Sequence, residues 1–434
     1  MRISTSMIFS GNVNALNDKS AALLKTQQQI SAGRRILTPA DDPVASSQVL
    51  ELTQSSALNA QHQAAQGSAK SALGIIDSQL STTSDLLARI RELGVQAGSA
   101  TLSNADRNAI TIELRARFDE LVGIGNSTDG NGQYLFSGYQ GTTKPFFGSV
   151  ENGVSYAGDD GQRALRVSGS RLMPVNVTGS ELFTNIRDGN GNFVTAAAVV
   201  PPNSGSGIID AGSVSDQSKW NSSANGGQLA VRFWKDPVTS TLYYDLVDAV
   251  GGKSLFTATP STTGGAGNTF THAYTSGASI SFSGLAAPYN DFGSSVVISG
   301  TPSSGDTFSL KRSTSGSLFS MLSGMIKAIE APVVSGPAGN AQLHNLLGAS
   351  LTNLSQVEDN VSRVRAGIGS RLNELDDLNS SSSGLDIQYK SRISELQDVD
   401  FNKAITDLTR MQTELQATQQ SFVKIAGLSM FNYL

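Results

Sequence analysis

The residues best suited to chemistry are few, and their spacing works against it. Three histidines, His62, His272 and His344, stand far apart in a chain of 434 residues. A helical zinc pair needs imidazoles at i and i+4 so that both nitrogens leave one face, and no such pair exists. Each histidine is therefore expected to be a solvated or half-buried side chain. Gly251-Gly252-Lys253-Ser254 ends like a phosphate-binding loop, but that motif also needs glycine where Val247 stands, and Tyr243 to Val247 reads as a strand running into a turn. Asp188-Gly189-Asn190-Gly191-Asn192 opens like a calcium loop. Its sixth position is Phe193 rather than glycine and its twelfth is Val199 rather than glutamate, so a type I′ or II′ hairpin turn is the better reading. Asp41 and Asp42 could pair for acid-base work, but directly before Pro43 they read as a helix cap, and no second carboxylate cluster matches them. Arg34 and Arg35 are either solvated or salt-bridge partners of those aspartates. Trp220, Trp234, Tyr243 and Tyr244 could stack on sugars, although their alternation along strands favours a core role. With no cysteine in the chain, thiolate metal sites, disulfides and cysteine nucleophiles are also excluded. The residues predict no catalytic, cofactor-binding or metal-binding site and no enzyme.

Composition narrows the partners further. Charged residues make up 15% of the chain, against roughly 25% in an average soluble domain, and the net charge is −5. Ser, Thr, Asn, Gln and Gly take the missing places. A net negative chain without a basic stripe predicts no nucleic-acid partner. No apolar run approaches the roughly 18 residues that cross a bilayer, so no membrane insertion is expected. The start, MRISTSMIFSGN, lacks the apolar stretch of a secretory signal. The chain is expected either to stay in the cytoplasm or to leave it by a route that uses no such signal.

Two kinds of structure alternate along the chain. Residues 141–310 hold 24 of the 44 glycines and 8 of the 12 prolines. Within them short period-2 runs recur: Leu229, Val231 and Phe233; Leu242, Tyr244 and Leu246; Ile280 and Phe282; Phe308 and Leu310. Turn residues bound each run, the pattern of an all-β domain. Pro201 to Gly207 reads as a loop or a subdomain boundary. The flanks carry heptads instead. Leu73, Ile76, Leu80, Thr83, Leu87, Ile90, Gly94 and Ala97 keep a strict 3,4 spacing, and so do Leu343, Leu347, Ser350, Leu354, Val357, Val361, Val364, Ile368, Arg371, Leu375 and Leu378. The second series predicts a helix over about 341–379, nearly 60 Å long. Gly33 is placed to end the first helix, Asp42-Pro43 to start the next, and Ser103 with Asp106 to cap a third.

Heptad spacing also reaches both termini, through Val13, Leu16, Leu23 and Ile30, and through Leu408, Met411, Leu415, Thr418, Phe422 and Ile425, with Leu428, Met430, Phe431, Tyr433 and Leu434 beyond. Such a stripe needs a partner, either the opposite terminus or another subunit. Gln, Thr, Ser and Asn around it favour a subunit, because neutral polar groups cost less than Lys or Glu to desolvate. Val13, Leu16, Leu23, Ile30, Leu408, Met411, Leu415, Phe422, Ile425 and Leu428 are thus the candidate assembly residues.

The segment Gln29–Val44, QISAGRRILTPADDPV, resembles the N-terminal signature of bacterial flagellins and their hook-associated relatives. Asn131–Gly138 is similar to the segment closing that family's N-terminal helical region, and Gly300–Phe308 to the element by which its members leave their variable β domain. The start, Met1–Thr5, and the end, Gly427–Leu434, are similar to the member that joins hook to filament. The resemblance implies an α+β multidomain fold, in which a long α-helical coiled-coil bundle built from both chain ends carries an inserted all-β outer domain. The expected divisions are 1–45, an N-terminal assembly helix and loop disordered in the monomer; 46–186, helical core with a short β region at 136–183; 187–312, the outer β domain; 313–380, the second part of the helical core; and 381–434, a C-terminal assembly helix disordered in the monomer.

The resemblance further implies a structural, motility-related part of the extracellular flagellum. It would be secreted unfolded by type III export and would adapt a hook-side hook-associated protein to the flagellin filament. Its implied partners are copies of itself in a ring or helical layer, that hook-associated protein, flagellin, and a cytoplasmic export chaperone over Leu415, Phe422 and Ile425. Filament flagellin itself is one alternative, and a coiled-coil fibre or adhesin with a glycan-binding β domain is another.

Overall fold

The computed structural model describes residues 5–222, 228–263, 268–289 and 291–427. The helices in chain order are α1 (Thr5–Ala32), α2 (Pro43–Ala97), α3 (Asn104–Gly125), the short α4 (Gln217–Asn221), α5 (Leu318–Glu330), α6 (Pro337–Gln397) and α7 (Phe401–Gly427). The fold is α+β, with long helices from both chain ends and an all-β region between them. The chain divides into two compact units. One comprises residues 1–67, 166–171 and 375–434; the other comprises 68–165 and 172–374.

Local chemistry sets the helix ends as the sequence predicts. Gly33 takes φ +68° and stops α1. Pro43 opens α2, and the Asp42 carboxylate accepts the Ala45 amide at 3.0 Å. Ser103 and Asp106 form a reciprocal capping box at the start of α3. All eight predicted seam positions of α2 are buried, from Leu73 to Ala97. On α6 the apolar positions from Leu343 to Leu375 are buried, whereas Ser350, Arg371 and Leu378 are half-buried.

Helix α6 does not stop near 379. It runs for 61 residues, about 90 Å at 1.5 Å per residue. The serine run at 380–383 looks like a terminus but serves as a contact. Ser380 returns its hydroxyl to the Asp376 carbonyl at 2.9 Å. Ser382 is buried, its carbonyl accepting Asn59 Nδ2 at 2.7 Å and its hydroxyl accepting Gln66 Nε2 at 3.2 Å.

In the second unit, Arg91 of α2 grips Glu358 of α6 with Nε at 3.0 Å and Nη2 at 2.5 Å. Arg365 meets Asp77 at 3.2 Å. The strands in chain order are β1 (Phe146–Ser149), β2 (Gly153–Tyr156), β3 (Ala164–Arg166), β4 (Leu172–Pro174), β5 (Ile186–Arg187), β6 (Phe193–Ala197), β7 (Ile208–Ile209), β8 (Ser213–Val214), β9 (Leu229–Lys235), β10 (Leu242–Asp248), β11 (His272–Ala273), β12 (Ser279–Ser281), β13 (Ser294–Ser299), β14 (Thr307–Arg312) and β15 (Ser315–Gly316). The first four fall inside the predicted 136–183 region. There Phe146 packs on Phe183 and Phe319 with ring centroids 5.4 and 5.2 Å apart.

The outer segment joins this region through a two-stranded neck, β5 paired with β15. Beyond it one sheet has the order β11-β10-β9-β14-β6 and another the order β12-β13-β7, with β8 also on β13. The predicted alternating residues are the ones that fill the space between: Leu229, Val231, Phe233, Leu246, Phe308 and Leu310 from one side, Ile280 and Phe282 from the other. Trp220 of α4 belongs to this core, with the Arg312 guanidinium 5.5 Å from its ring.

The Pro201–Gly207 stretch is a loop folded onto β14. Buried Asp306 accepts the amides of Ser204, Gly205 and Ser303 at 2.8, 3.0 and 2.8 Å. Asn203 exchanges two hydrogen bonds with the Thr307 backbone, at 3.0 and 2.9 Å. Replacing Asp306 with Ala removes the acceptor of all three amides; Gly205, which supplies one of them, is buried, and a buried unpaired group costs about 1–3 kcal/mol. Chemical denaturation of Asp306→Ala should accordingly show the β region unfolding at lower denaturant; an unchanged midpoint would count against the clamp.

Candidate assembly surface

The motifs that could have carried chemistry are structural. Gly252 turns at φ +65° between Val247 and Ser254, which form a β-bridge, so no helix follows the phosphate-loop-like run. Ser254, Ser261 and Thr269 donate to the buried Asp245 carboxylate at 2.6, 2.6 and 2.7 Å, closing that loop over the sheet. At the calcium-like run Gly191 donates to the Asp188 carbonyl at 3.2 Å, and the Asp188 carboxylate accepts Thr314 N at 2.6 Å and Thr314 Oγ1 at 3.0 Å. The expected hairpin is not formed: the turn links β5 and β6, which belong to different sheets. The reason is the neck, where Asp188 closes onto Thr314 rather than onto the following strand.

The four aromatics do not share a face. Trp220 and Tyr244 pack in the outer core, whereas Trp234 lies 6.2 Å from both Tyr243 and Phe270. His272 stacks on Phe256 at 3.9 Å. His62 lines a groove with Leu58 and Tyr389, and His344 is half-buried on α6.

The predicted assembly residues do come together, in the first unit. Helices α1 and α7 run antiparallel along each other, so the stripe on each terminus meets the other terminus of the same chain. Phe9 and Phe422 pack with ring centroids 5.2 Å apart. Thr26 Oγ1 lies 3.5 Å from Met411 Sδ, and Lys19 pairs with Glu414. Val13, Leu16, Leu23 and Ile30 on α1, and Leu408, Met411, Leu415 and Phe422 on α7, are all half-buried. Leu428 lies outside the described residues, as does the side chain of Ile425. A single neighbouring helix thus covers part of each stripe residue and leaves the rest open.

The signature loop between α1 and α2 is fastened to the turn between α6 and α7. Arg35 donates its amide to the Gln397 carbonyl at 2.6 Å and Nη2 to the Leu396 carbonyl at 2.8 Å. Val399 donates to the Gly33 carbonyl at 3.1 Å, and Arg34 bridges to Asp398. Asp41 accepts the Leu37 and Thr38 amides at 3.0 and 2.8 Å and meets Lys25 at 2.6 Å. Arg35 reaches Asp42 at 3.3 Å. The basic pair and the carboxylate pair are therefore partners in one loop.

Beside this loop lies an open apolar groove of about 320 Å³, lined by Ile36, Leu37, Pro39, Val49 and Leu50 among others. Val44 and Leu50 are 70% and 71% exposed. With Phe401, Ile405, Leu24 and Val423, also exposed, they extend the candidate surface beyond the heptad positions. Heptad spacing missed them because they lie off the stripe; the signal available was apolar residues left over on otherwise polar faces.

The loop also responds to pH in a defined direction. The Lys25 ammonium and the Thr38 amide hold the Asp41 carboxyl well below its ordinary 3.8. The Ala45 amide and then the Arg35 guanidinium lower Asp42 as well. A carboxyl whose pKa is lower when folded stabilises the fold fully above its ordinary value and loses that contribution as pH falls through the lower folded value. Protection of the Leu37, Thr38 and Ala45 amides, measured against intrinsic exchange at each pH, should therefore be constant well above the ordinary carboxyl value of 3.8 and decline as pH drops below it. Asp41→Asn should accelerate Leu37 and Thr38 already at neutral pH; identical protection in that variant would remove Asp41 from the loop's support.

Comparison with known proteins gives this surface a context. Residues 3–141 match the model of the bacterial flagellin N-terminal helical region. The chain is 26% identical over 431 residues, 99% of both chains, to flagellar hook-associated protein 3 of Escherichia coli (strain K12). To the protein of the same name from Salmonella typhimurium it is 34% identical over 186 residues, 43% of this chain and 58% of that one. The flagellar junction protein FlgL from Legionella pneumophila superposes with a TM-score of 0.69 at 26% identity, covering 81% of this chain and all of that one.

Proposed function

We propose, for a chain that belongs to the bacterial flagellin family and resembles its junction proteins over nearly its whole length, that it works as an adaptor layer between hook and filament. The chain is a structural component of the flagellar hook-filament junction, and the observation that carries this is the match over 99% of both chains to hook-associated protein 3. On our reading its partners are copies of itself, a hook-side hook-associated protein on one side and flagellin on the other, and its place is the extracellular flagellum. Among the described residues no helix is long and apolar enough to cross a membrane.

We further propose that the terminal segments, 1–45 and 381–434, are disordered in the free monomer and fold as subunits meet. Half-buried stripe residues support this. A two-helix pair that covers only part of its apolar surface has little to set against the entropy of ordering two long segments, and neighbouring subunits would bury the remainder. An export chaperone would shield the same stripe beforehand, around Leu415, Phe422 and Ile425. Four glutamines, Gln412, Gln416, Gln419 and Gln420, are exposed on α7 beside Lys403, Arg410 and Lys424, and such amides enter a packed layer at less desolvation cost than charges.

Replacing both Leu415 and Phe422 with Asp should leave the central β region folded and abolish incorporation into filaments; wild-type swimming of a strain carrying only that variant would overturn the assembly role. Circular dichroism of the dilute wild-type chain should fall short of the helix content of the paired structure by about the contribution of α1, α7 and the part of α6 beyond residue 380. Full helicity in the monomer would show the intramolecular pair to be stable alone.

A further inference from the structure

The outer β region closes a core of its own, drawn from residues between Phe193 and Leu310, with no member from α6. It leaves the rest of the second unit only through the neck of β5 and β15, which are two residues each. A lobe on so short a neck would pivot unless something else held it. A cavity of about 110 Å³ lies between the lobe residues Thr195, Ile209 and Asp210 and the helix residues Gly348 and Thr352, so the two surfaces are not closely packed at that point.

What crosses this gap is a row of asparagines on α6. Asn345, itself buried, accepts the Ile209 amide on Oδ1 at 2.9 Å and donates Nδ2 to the Gly207 carbonyl at 3.0 Å. Asn353 accepts the Gly189 amide at 2.7 Å. Asn360 donates to the Glu181 and Leu182 carbonyls at 3.0 and 3.1 Å and accepts Arg363 at 2.6 Å. Spacings of eight and seven residues keep the three on one side of the helix. Along that side they reach the base of the neck (181–182), the turn above it (189) and the lobe (207–209) in succession. Every partner off the helix is backbone, so the contacts fix position and angle while leaving the lobe's surface sequence free.

We propose that Asn345 and Asn353 are positioning residues that lock the outer lobe at one angle to α6, with Asn360 anchoring the neck's base, so that load on the lobe passes into the helix instead of into a hinge. This inference does not depend on the junction role. Because Asn353 uses only its carbonyl oxygen whereas Asn345 uses both ends of its amide, isosteric exchange separates positioning from bulk stability. Asn353→Asp keeps the only group that is used, an acceptor. Asn345→Asp loses its donor and sets a carboxylate against the Gly207 carbonyl.

The natural chain has no cysteine, so spin labels attached at Thr257→Cys in the lobe and Ala366→Cys on α6, both exposed, report the angle directly by pulsed electron resonance on the full chain. The parent and Asn353→Asp should give one narrow distance distribution. Asn345→Asp and the double variant Asn345→Ala/Asn353→Ala should give a broad or split one, with amide exchange at Ile209 at least tenfold faster and β9 and β14 still protected at the parent rate. A narrow distribution in the double variant would overturn the lock. So would equal broadening by Asn353→Asp, or loss of protection in β9 and β14, which would mean that the asparagines support folding of the lobe rather than its angle.

Discussion

Everything in this molecule depends on helices from opposite ends of the chain closing on one another. Arg91 and Glu358 are 267 residues apart in sequence, Asp77 and Arg365 288, and Thr26 and Met411 385. The α2 seam takes contacts from α3, as where buried Arg107 donates to the Ala97 carbonyl at 3.2 Å, and also from α6, which arrives only in the last third of the chain. Such long-range pairing is slow, because chain closure must come before the contacts that reward it.

Where chemistry is local, the sequence was a sufficient guide. Gly33, Asp42-Pro43 and Ser103 with Asp106 act within one turn of themselves, and each does in the structure what its residue type dictates. The heptads were legible because the seam is buried on one side over many turns, and the strands from Leu229 and Thr307 because one face of each is core. The misjudged features share another property: a distant partner decides them. The heptad series ends near 379, and the helix continues beyond it, where Asn59 and Gln66 meet Ser382. The Asp188 run reads as a hairpin until Thr314 claims its carboxylate.

The candidate surface was half legible for the same reason. Heptad positions such as Leu415 and Phe422 announce themselves by period, whereas Leu50 and Val44 become visible only once the signature loop is folded beside them. That loop in turn needs Arg35 to reach Leu396 and Gln397. A local signature and the two chain ends thus define one structure, and neither half of the motif has meaning without the other.

The composition of the helices also carries two separate jobs under one description. Neutral polar residues near the termini leave faces that can be packed by another subunit. The asparagines at 345, 353 and 360 look the same in a tally, yet they are already spent on the backbone of the β region. The difference lies in what an amide can do that a glutamine on an open face need not: donate and accept at fixed distance to main-chain groups that would otherwise be unpaired. A helix that serves at once as core seam and as mounting rail for a separate lobe needs apolar residues at one phase and short amides at another. Helix α6 carries both, which is how one helix can be long and still specific about what it holds.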